Sequence, residues 1–169
     1  HDALSGLPNR PHFVQSVQAA LDDLLQIRNN GRVVVAYVDV DRFKDVNDTL
    51  GHAAGDTLIV AVAERLRGSV GANDLLARFG GDEFAILRCS ADPSAGDDLA
   101  KRVRVAFEQN FDLYGQHVRM TASVGLATAP DHGSTPEELM RHADIALYEA
   151  KNAGRDRAMV FSARMAATV

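Results

Sequence analysis

Apolar residues follow two different spacings along the chain, and the spacing changes at short polar breaks. Apolar residues three and four apart predict helices, at about 10–29, 52–68, 99–107 and 135–154. Between them lie a continuous apolar run over 33–38, a hairpin pattern over 75–87 and strict alternation over 117–127. A continuous run is typical of a strand buried on both faces, and alternation of a strand with one buried face. This mixture of elements predicts a layered α/β or α+β fold.

Turn and capping residues mark the ends of several of these elements. Asn30-Gly31 would end the first helix, Thr135-Pro136 would begin the last, and Gly154 is suited to the position after that helix. From Phe161 onward the pattern is weak. We therefore expect one domain over residues 1–160 and, over 161–169, the start of a linker that would lead to a further domain.

Composition narrows the class of protein. The chain has 169 residues, of which 46% are hydrophobic and 24% charged, as expected for one soluble globular domain with a sizeable core. It starts at His1 rather than Met, so we expect a piece of a longer protein. Cys89 is the single cysteine, which excludes an internal disulfide and favours a cytoplasmic location. The net charge of −5 disfavours binding to polymeric nucleic acid.

The first candidate for chemistry is Asp39-Val40-Asp41, at the end of the buried strand. Aspartate is disfavoured inside strands, so its position directly after six strand-forming residues calls for a partner. Carboxylates that emerge from a strand end are well suited to Mg²⁺, which prefers oxygen ligands. Turn-forming aspartates at a solvated strand end explain this segment equally well.

The second candidate is the tip of the predicted hairpin, Gly80-Gly81-Asp82-Glu83. A polar turn could occur in any hairpin. If the hairpin and the buried strand are neighbours in one sheet, however, Asp39 and Glu83 can meet around one cation. That arrangement would explain acidic clusters in two apolar contexts.

Five sequence motifs follow one another along the chain. The hairpin tip reads RFGGDEF over residues 78–84. The other four read DALSGLPNR, DVDRFKDVND, GHAAGD and ADIALYEAKNAGR, over 2–10, 39–48, 51–56 and 143–155. In this order and spacing the five motifs resemble the GGDEF family of diguanylate cyclases. The resemblance covers nearly the whole chain, and the order and spacing make a chance match implausible.

The resemblance implies an α+β fold like the palm of polymerases and class III nucleotidyl cyclases. In that fold a central, mainly antiparallel sheet of about five strands is flanked by helices. The implied reaction joins two GTP molecules into cyclic di-GMP and releases two pyrophosphates. Each ribose 3′-hydroxyl attacks the α-phosphorus of the other GTP, at the interface of two facing GGDEF domains. The implied cofactor is Mg²⁺, with Mn²⁺ as a substitute.

Roles of individual residues follow from the same resemblance. The metal ligands would be the side chains of Asp39 and Glu83 and the backbone carbonyl of Val40. Asp82 or Glu83 would help to deprotonate the 3′-hydroxyl, and the sequence leaves open which. Lys44 would add positive charge in the catalytic site.

The remaining residues carried over from the family would bind GTP. Asn47 and Asp56 stand where the family reads guanine, whose N1–H and N2–H donors suit a carboxylate. The other positions would contact the phosphates through backbone amides, through close approach at glycine or through positive charge: Phe43, Lys44, Gly80, Gly81, Lys151 and Arg155. Lys151 and Arg155 are four residues apart, which places them on one face if the last helix includes both.

One departure from the family concerns product inhibition. Many members carry an Arg-x-x-Asp site for cyclic di-GMP just before the hairpin, whereas residues 71–74 read GAND. Gly71 therefore replaces the arginine, and the bidentate contact of a guanidinium is lost. We expect tight product inhibition to be absent or weak.

A second function is compatible with the same residues. The alternative is a non-catalytic GTP-binding domain that regulates a fused cyclic di-GMP phosphodiesterase. The stretch from Phe161 to Val169 is similar to the segment that precedes an EAL phosphodiesterase domain. Expected partners are therefore a sensory domain upstream and an EAL domain downstream.

Overall fold

The computed structural model describes residues 1–26 and 31–166. Its centre is a five-stranded sheet in the order β2-β3-β1-β6-β7. The strands are β1 (Arg32–Val40), β2 (Leu75–Gly80), β3 (Glu83–Ser90), β6 (Ala122–Ala129) and β7 (Arg157–Val160). The β6–β7 pair is parallel and the other pairs are antiparallel. A separate hairpin contains β4 (Phe111–Leu113) and β5 (Gln116–Val118). The predicted α+β class and sheet size are confirmed.

Six helices are described around this sheet. They are α1 (Arg10–Gln26), α2 (Phe43–Leu50), α3 (His52–Ser69), α4 (Ala95–Ala106), α5 (Pro136–Asn152) and α6 (Ala163–Ala166). None within the described ranges combines the length and the apolar character that a membrane span requires.

Alternate side chains of β1 supply two separate cores. Val34, Ala36 and Val38 pack with apolar residues of α3 and α4 on one face of the sheet. Val33 and Val35 pack with α1 and α5 on the other face. Both faces of β1 are therefore covered, as the continuous apolar run predicted.

A glycine in β6 sets how closely α5 approaches the sheet. A Cβ atom at Gly125 would lie 2.2 Å from the backbone nitrogen of Leu147 and 2.3 Å from the carbonyl oxygen of Ala143. A larger residue would push α5 away from β6. Because α5 carries Lys151 in its last turn, this contact also sets the distance of that side chain from the sheet.

Several sequence predictions need correction at element boundaries. The single strand predicted over 117–127 is divided, because β5 belongs to the small hairpin and β6 begins at Ala122. The last helix ends at Asn152, so Arg155 is not on it. The end of the first helix at 27–29 and its stop at Asn30 lie outside the described residues. Four further elements were not predicted from the sequence: α2, β4, β7 and α6.

The segment expected to begin a linker packs on the domain as far as it is described. Phe161 and Met165 are buried with α1 and α5, and Phe161 N–H donates to the carbonyl of Leu126 at 2.8 Å. A linker to a further domain stays a prediction for the chain beyond this contact.

Candidate active site

The end of β1 and the start of β3 bring two carboxylates together. Asp39 is the antiparallel register partner of Glu83. Side chains of directly opposed residues project from the same face of a sheet. Asp39 is 4% exposed, whereas Glu83 is exposed to solvent. The predicted neighbourhood of the hairpin and the buried strand is confirmed.

Lys151 of α5 forms an ion pair with Asp39. Burial raises the pKa of Asp39 to about 6, and the charges of Asp82 and Glu83 add to the increase, although Lys151 opposes it. Burial alone would lower the pKa of Lys151, but its hydrogen bond to Asp39 and attraction to all three carboxylates raise it overall. Lys151 thus pairs with Asp39 and also attracts Asp82 and Glu83, and a further cation would relieve the repulsion among the three carboxylates.

Arg78 fixes the hairpin tip beside these acids. Its Nε and Nη2 groups donate to the carbonyl of Gly81 at 3.2 and 2.8 Å. Its Nη1 group donates to both carboxylate oxygens of Asp2 at 2.9 and 3.0 Å. The backbone at Gly80 and Gly81 has φ values of 136° and 49°, which residues with a Cβ atom rarely adopt. The sequence motif contained Arg78 and Asp2, but nothing in it indicated their contact.

The first turn of α2 follows the metal-binding candidates directly. Val40 donates its N–H to the carbonyl of Asp82 at 3.2 Å, and α2 begins three residues later at Phe43. The first amide groups of a helix have no intrahelical acceptor, so those of Phe43 and Lys44 are suited to an anion. The Lys44 side chain is exposed.

The two residues expected to read guanine meet at the junction of α2 and α3. The side chain of Asn47 lies over Gly55, where a Cβ atom would be 1.8 Å from Asn47 Oδ1. Asp56 is the next residue on α3 and is exposed. Because Gly51 is the N-cap of α3, Asp56 does not cap that helix. Gly55 was not singled out from the sequence, although a glycine inside a helix was the available signal for this close approach of Asn47.

Arg155 follows α5 in an unusual backbone conformation. Arg155 and Asp156 have φ values of 62° and 47°, in the left-handed region. The N–H group of Arg155 donates to the carbonyl of Ala150 at 3.0 Å, and its side chain is exposed. Lys151 therefore contacts Asp39 from the helix, whereas Arg155 lies in the turn that follows it.

A cavity of about 530 Å³ opens beside Asp39 and Glu83, on the side of the sheet covered by α1 and α5. This volume lies within the range of small-ligand pockets. Tyr37 and Phe79 contribute aromatic surface, and Arg10 contributes charge. Burial raises the pKa of Tyr37 to about 12, so its hydroxyl remains a hydrogen-bond donor at neutral pH.

The donor set suits Mg²⁺ bound together with a phosphate ligand. Across residues 1–26 and 31–166, no three His, Cys, Asp or Glu side chains are grouped as a metal site would require. Asp39, Glu83 and the carbonyl of Val40 would supply three oxygens. Mg²⁺ is commonly held by one or two carboxylates, with substrate phosphates and water as the other ligands.

The sheet is mainly antiparallel, and acids lie at the end of its central strand and on the neighbouring hairpin. This arrangement is the palm-like fold of nucleotidyl cyclases. Within this class, the chain belongs to the GGDEF family, because the family model described as "Diguanylate cyclase, GGDEF domain" matches residues 1–157.

Curated relatives share the domain within longer proteins. The chain is 40% identical over 165 residues to the bifunctional diguanylate cyclase/cyclic di-GMP phosphodiesterase MucR of Pseudomonas aeruginosa, covering 98% of this chain and 24% of MucR. It is 41% identical over 159 residues to the diguanylate cyclase TpbB of the same species, covering 92% and 36%. It is 37% identical over 164 residues to the cyclic di-GMP phosphodiesterase PdeR of Escherichia coli, covering 97% and 24%. The chain thus spans about a quarter to a third of these relatives.

Solved GGDEF domains have the same fold. The GGDEF domain of TpbB from Pseudomonas aeruginosa matches with a TM-score of 0.91 at 38% identity, over 99% of this chain and 98% of that one. A sensory box/GGDEF family protein from Caulobacter crescentus matches with a TM-score of 0.85 at 38% identity, over 91% and 99%.

Proposed function

We propose that this domain is a diguanylate cyclase that condenses two GTP molecules into cyclic di-GMP and releases two pyrophosphates. The observation that carries the proposal is the pairing of Asp39 with Glu83 at the end of β1, next to Lys151. Buried carboxylates with a raised pKa and an incomplete complement of positive charge are typical of functional sites.

Asp39, Glu83 and the Val40 carbonyl would hold Mg²⁺, for which Mn²⁺ can substitute. The cation supplies charge neutralisation at the triphosphate and lowers the pKa of a hydroxyl bound to it. Arg78 keeps the hairpin tip in place, so that Asp82 and Glu83 stay beside the reacting groups. Either carboxylate can accept the proton of the 3′-hydroxyl.

The phosphates would lie between the start of α2 and the end of α5. The amide groups of Phe43 and Lys44 donate to phosphate oxygens, as helix N-termini do. Lys44, Lys151 and Arg155 supply positive charge from two sides. Gly80 and Gly81 allow the hairpin backbone to approach closely, because they have no side chain.

Guanine would be selected at the junction of α2 and α3. The Asp56 carboxylate accepts from N1–H and N2–H, and the Asn47 amide can both donate and accept. Adenine lacks that pair of donors, so ATP would leave Asp56 without its partners. An unsatisfied polar group of this kind costs about 1–3 kcal/mol.

One such site holds one GTP, so cyclisation requires a second GGDEF domain that faces it. The close approach of the two nucleotides supplies a large part of the rate. A cytoplasmic location, an upstream sensory domain and a downstream EAL domain complete the proposal. The multidomain relatives support this organisation.

A second candidate function is regulation of a fused phosphodiesterase by GTP binding without turnover. The names of two relatives favour it. PdeR of Escherichia coli and NbdA of Pseudomonas aeruginosa are both named cyclic di-GMP phosphodiesterases, and they match over 97% and 98% of this chain. Both functions use the same GTP site and differ in whether two sites meet.

Incubation with GTP and Mg²⁺ at low and high protein concentrations tests the two functions. We expect cyclic di-GMP as the product, at a rate that rises faster than linearly with protein concentration, and no product from ATP. GTP binding without turnover at any concentration would favour the regulatory function. Failure to bind GTP with Mg²⁺ would contradict both.

A further inference from the structure

Asp41 lies two residues beyond Asp39 but faces a different set of groups. It is 6% exposed, and it follows the last residue of β1. One carboxylate oxygen accepts from the Ser123 hydroxyl at 2.6 Å. The other accepts from the Thr121 hydroxyl at 2.6 Å and from the backbone N–H of Asp156 at 2.9 Å. Asp41 is therefore fully engaged by the protein and is not available as a ligand.

The bond to Asp156 spans 115 residues of sequence and holds an unfavourable turn. Arg155 and Asp156 both have positive φ values, and neither residue is glycine. Such conformations persist where surrounding contacts hold them. The turn is fixed on one side by the end of α5, through the bond from Arg155 N–H to the Ala150 carbonyl. On the other side it is fixed by Asp41.

Two hydroxyl groups near the start of β6 hold the Asp41 carboxylate. Thr121 and Ser123 belong to the start of β6 and the residues before it, and Asp41 N–H also donates to the Thr121 carbonyl at 2.9 Å. Three side-chain and backbone donors thus orient both oxygens. The end of β1 consequently connects the candidate metal ligands to the turn that carries Arg155.

We propose that Asp41 is a positioning residue that holds the Arg155–Asp156 turn, so that the Arg155 guanidinium is directed at the terminal phosphates of GTP. This inference rests on the proposed GTP site and adds to it a residue that does not touch the nucleotide. Its action is indirect, through one hydrogen bond to the Asp156 backbone.

A double-mutant cycle on GTP affinity, measured by calorimetry with Mg²⁺, tests the proposal. Arg155→Ala removes the guanidinium and is expected to weaken GTP binding about tenfold, the scale of one charge-assisted hydrogen bond. Asp41→Ala frees the Asp156 N–H group and is expected to weaken binding about fivefold, part of the same loss. The double variant should bind no more weakly than Arg155→Ala, because Asp41 would act through Arg155 alone.

Three further variants separate positioning from general structural damage. Asp41→Asn can keep an oxygen toward Asp156 and present its amide to Ser123, whose hydroxyl can reverse, so it should restore most of the affinity. Thr121→Val removes one of the orienting donors and should weaken binding less than Asp41→Ala, again without effect in the Arg155→Ala background. Asp97→Ala, an exposed carboxylate on α4, should leave affinity unchanged.

The outcomes distinguish this inference from the proposed function. Losses from Asp41→Ala and Arg155→Ala that add fully would overturn the positioning role while leaving Arg155 as a phosphate ligand. Unchanged GTP affinity in folded Asp41→Ala and Thr121→Val would do the same. Unchanged affinity in Arg155→Ala would overturn the phosphate role itself, and the positioning role with it.

Discussion

Strand β3 carries an acidic cluster near each of its ends, and the two clusters differ in how their charge is balanced. At its first residue, Glu83 is opposite Asp39, and Lys151 pairs with Asp39 and attracts Glu83 and Asp82. Near its last residue, Arg88 donates to Asp74 at 2.7 and 3.0 Å and to Asp98 at 2.7 Å. In the first cluster Lys151 pairs directly with Asp39, whereas in the second Arg88 pairs with both carboxylates and Arg102 also pairs with Asp98.

The pKa directions show the same contrast. Burial raises the pKa of Asp39, whereas the hydrogen bond from Arg88 holds the pKa of Asp98 below its usual value. Arg88 also donates to the carbonyl of Ala95 at 3.2 Å, and Asp74 accepts from Gly71 N–H at 2.7 Å. This contrast supports the proposed ligand site at the first cluster and a structural role for the second.

Glu83→Gln should produce the largest effect on activity. The amide keeps the shape of the side chain but removes a negative charge from the proposed metal site. We expect turnover of GTP to fall by about 100-fold or more, the scale of losing one charge-stabilising group, while the melting temperature does not fall. Cyclic di-GMP formation and thermal unfolding check this, with exposed Glu108→Gln as the matched control. Turnover at the level of that control would remove Glu83 from the site.

Arg88→Met should have the opposite signature. It leaves Asp74, whose side chain is 6% exposed, without its main partner. Breaking a buried pair of this kind costs about 3 kcal/mol or more of unfolding free energy. Urea unfolding measures the loss, and turnover per folded molecule should stay unchanged.

Arg102→Met is the control for this change. Arg102 pairs with Asp98 four residues away on α4 and donates to the carbonyl of Ser69 at 3.2 Å, and such exposed contacts contribute about 1 kcal/mol or less. Equal losses of stability in the two variants would show that the Arg88 cluster is no more structural than a surface ion pair.

The sequence predicted that Asp39 and Glu83 could meet if the hairpin and the buried strand were neighbours in one sheet. A continuous apolar run and a hairpin pattern defined the two strands, and side-chain alternation restricted which faces could pair. The five motifs identified the GGDEF family. The apolar patterns are local and the motifs depend on residue order alone. Neither signal requires knowing which distant residues come into contact.

The elements and contacts that the sequence did not predict fall into two kinds. Some depend on residues that are distant in the sequence, and others have too few buried apolar residues to produce a helical pattern. Val46 is the buried residue of α2, too little to produce a helical apolar pattern. The turn after α5 is left-handed at Arg155 and Asp156, where a glycine would have been the usual signal. The contact of Arg88 with Asp74 joins β3 to the residue just before β2. The two residues are 14 positions apart in the sequence, and no motif contains both.

The pH dependence of stability offers a finer test of the unbalanced cluster. The pKa of Asp39 is about 6 in the folded protein, and its reference value is 3.8. Between pH 3.8 and 6, the Asp39 carboxyl is therefore protonated in the folded state and ionised in the unfolded state. Stability from this group is therefore present at low pH and lost as the pH rises through 6. Relative to the native protein, Asp39→Asn should gain up to about 3 kcal/mol between pH 4 and pH 7. Urea unfolding with a chelator present measures this, and a difference that stays flat or declines with pH would contradict it.

Titration with cyclic di-GMP should show the smallest effect. Asp74 is already satisfied by Arg88 and by Gly71 N–H, and residue 71 offers no guanidinium to a ligand. A Cβ atom at Gly71 would lie 3.1 Å from Asp74 Oδ2 and 3.7 Å from Arg88 Nη2, so both partners of this ion pair lie next to the loop. We expect calorimetry on nucleotide-free protein to detect no tight binding at residues 71–74. Tight binding that is lost in Asp74→Asn would show instead that a ligand can displace Arg88 from Asp74. An ion pair whose charges are balanced would then still be able to separate and bind a ligand.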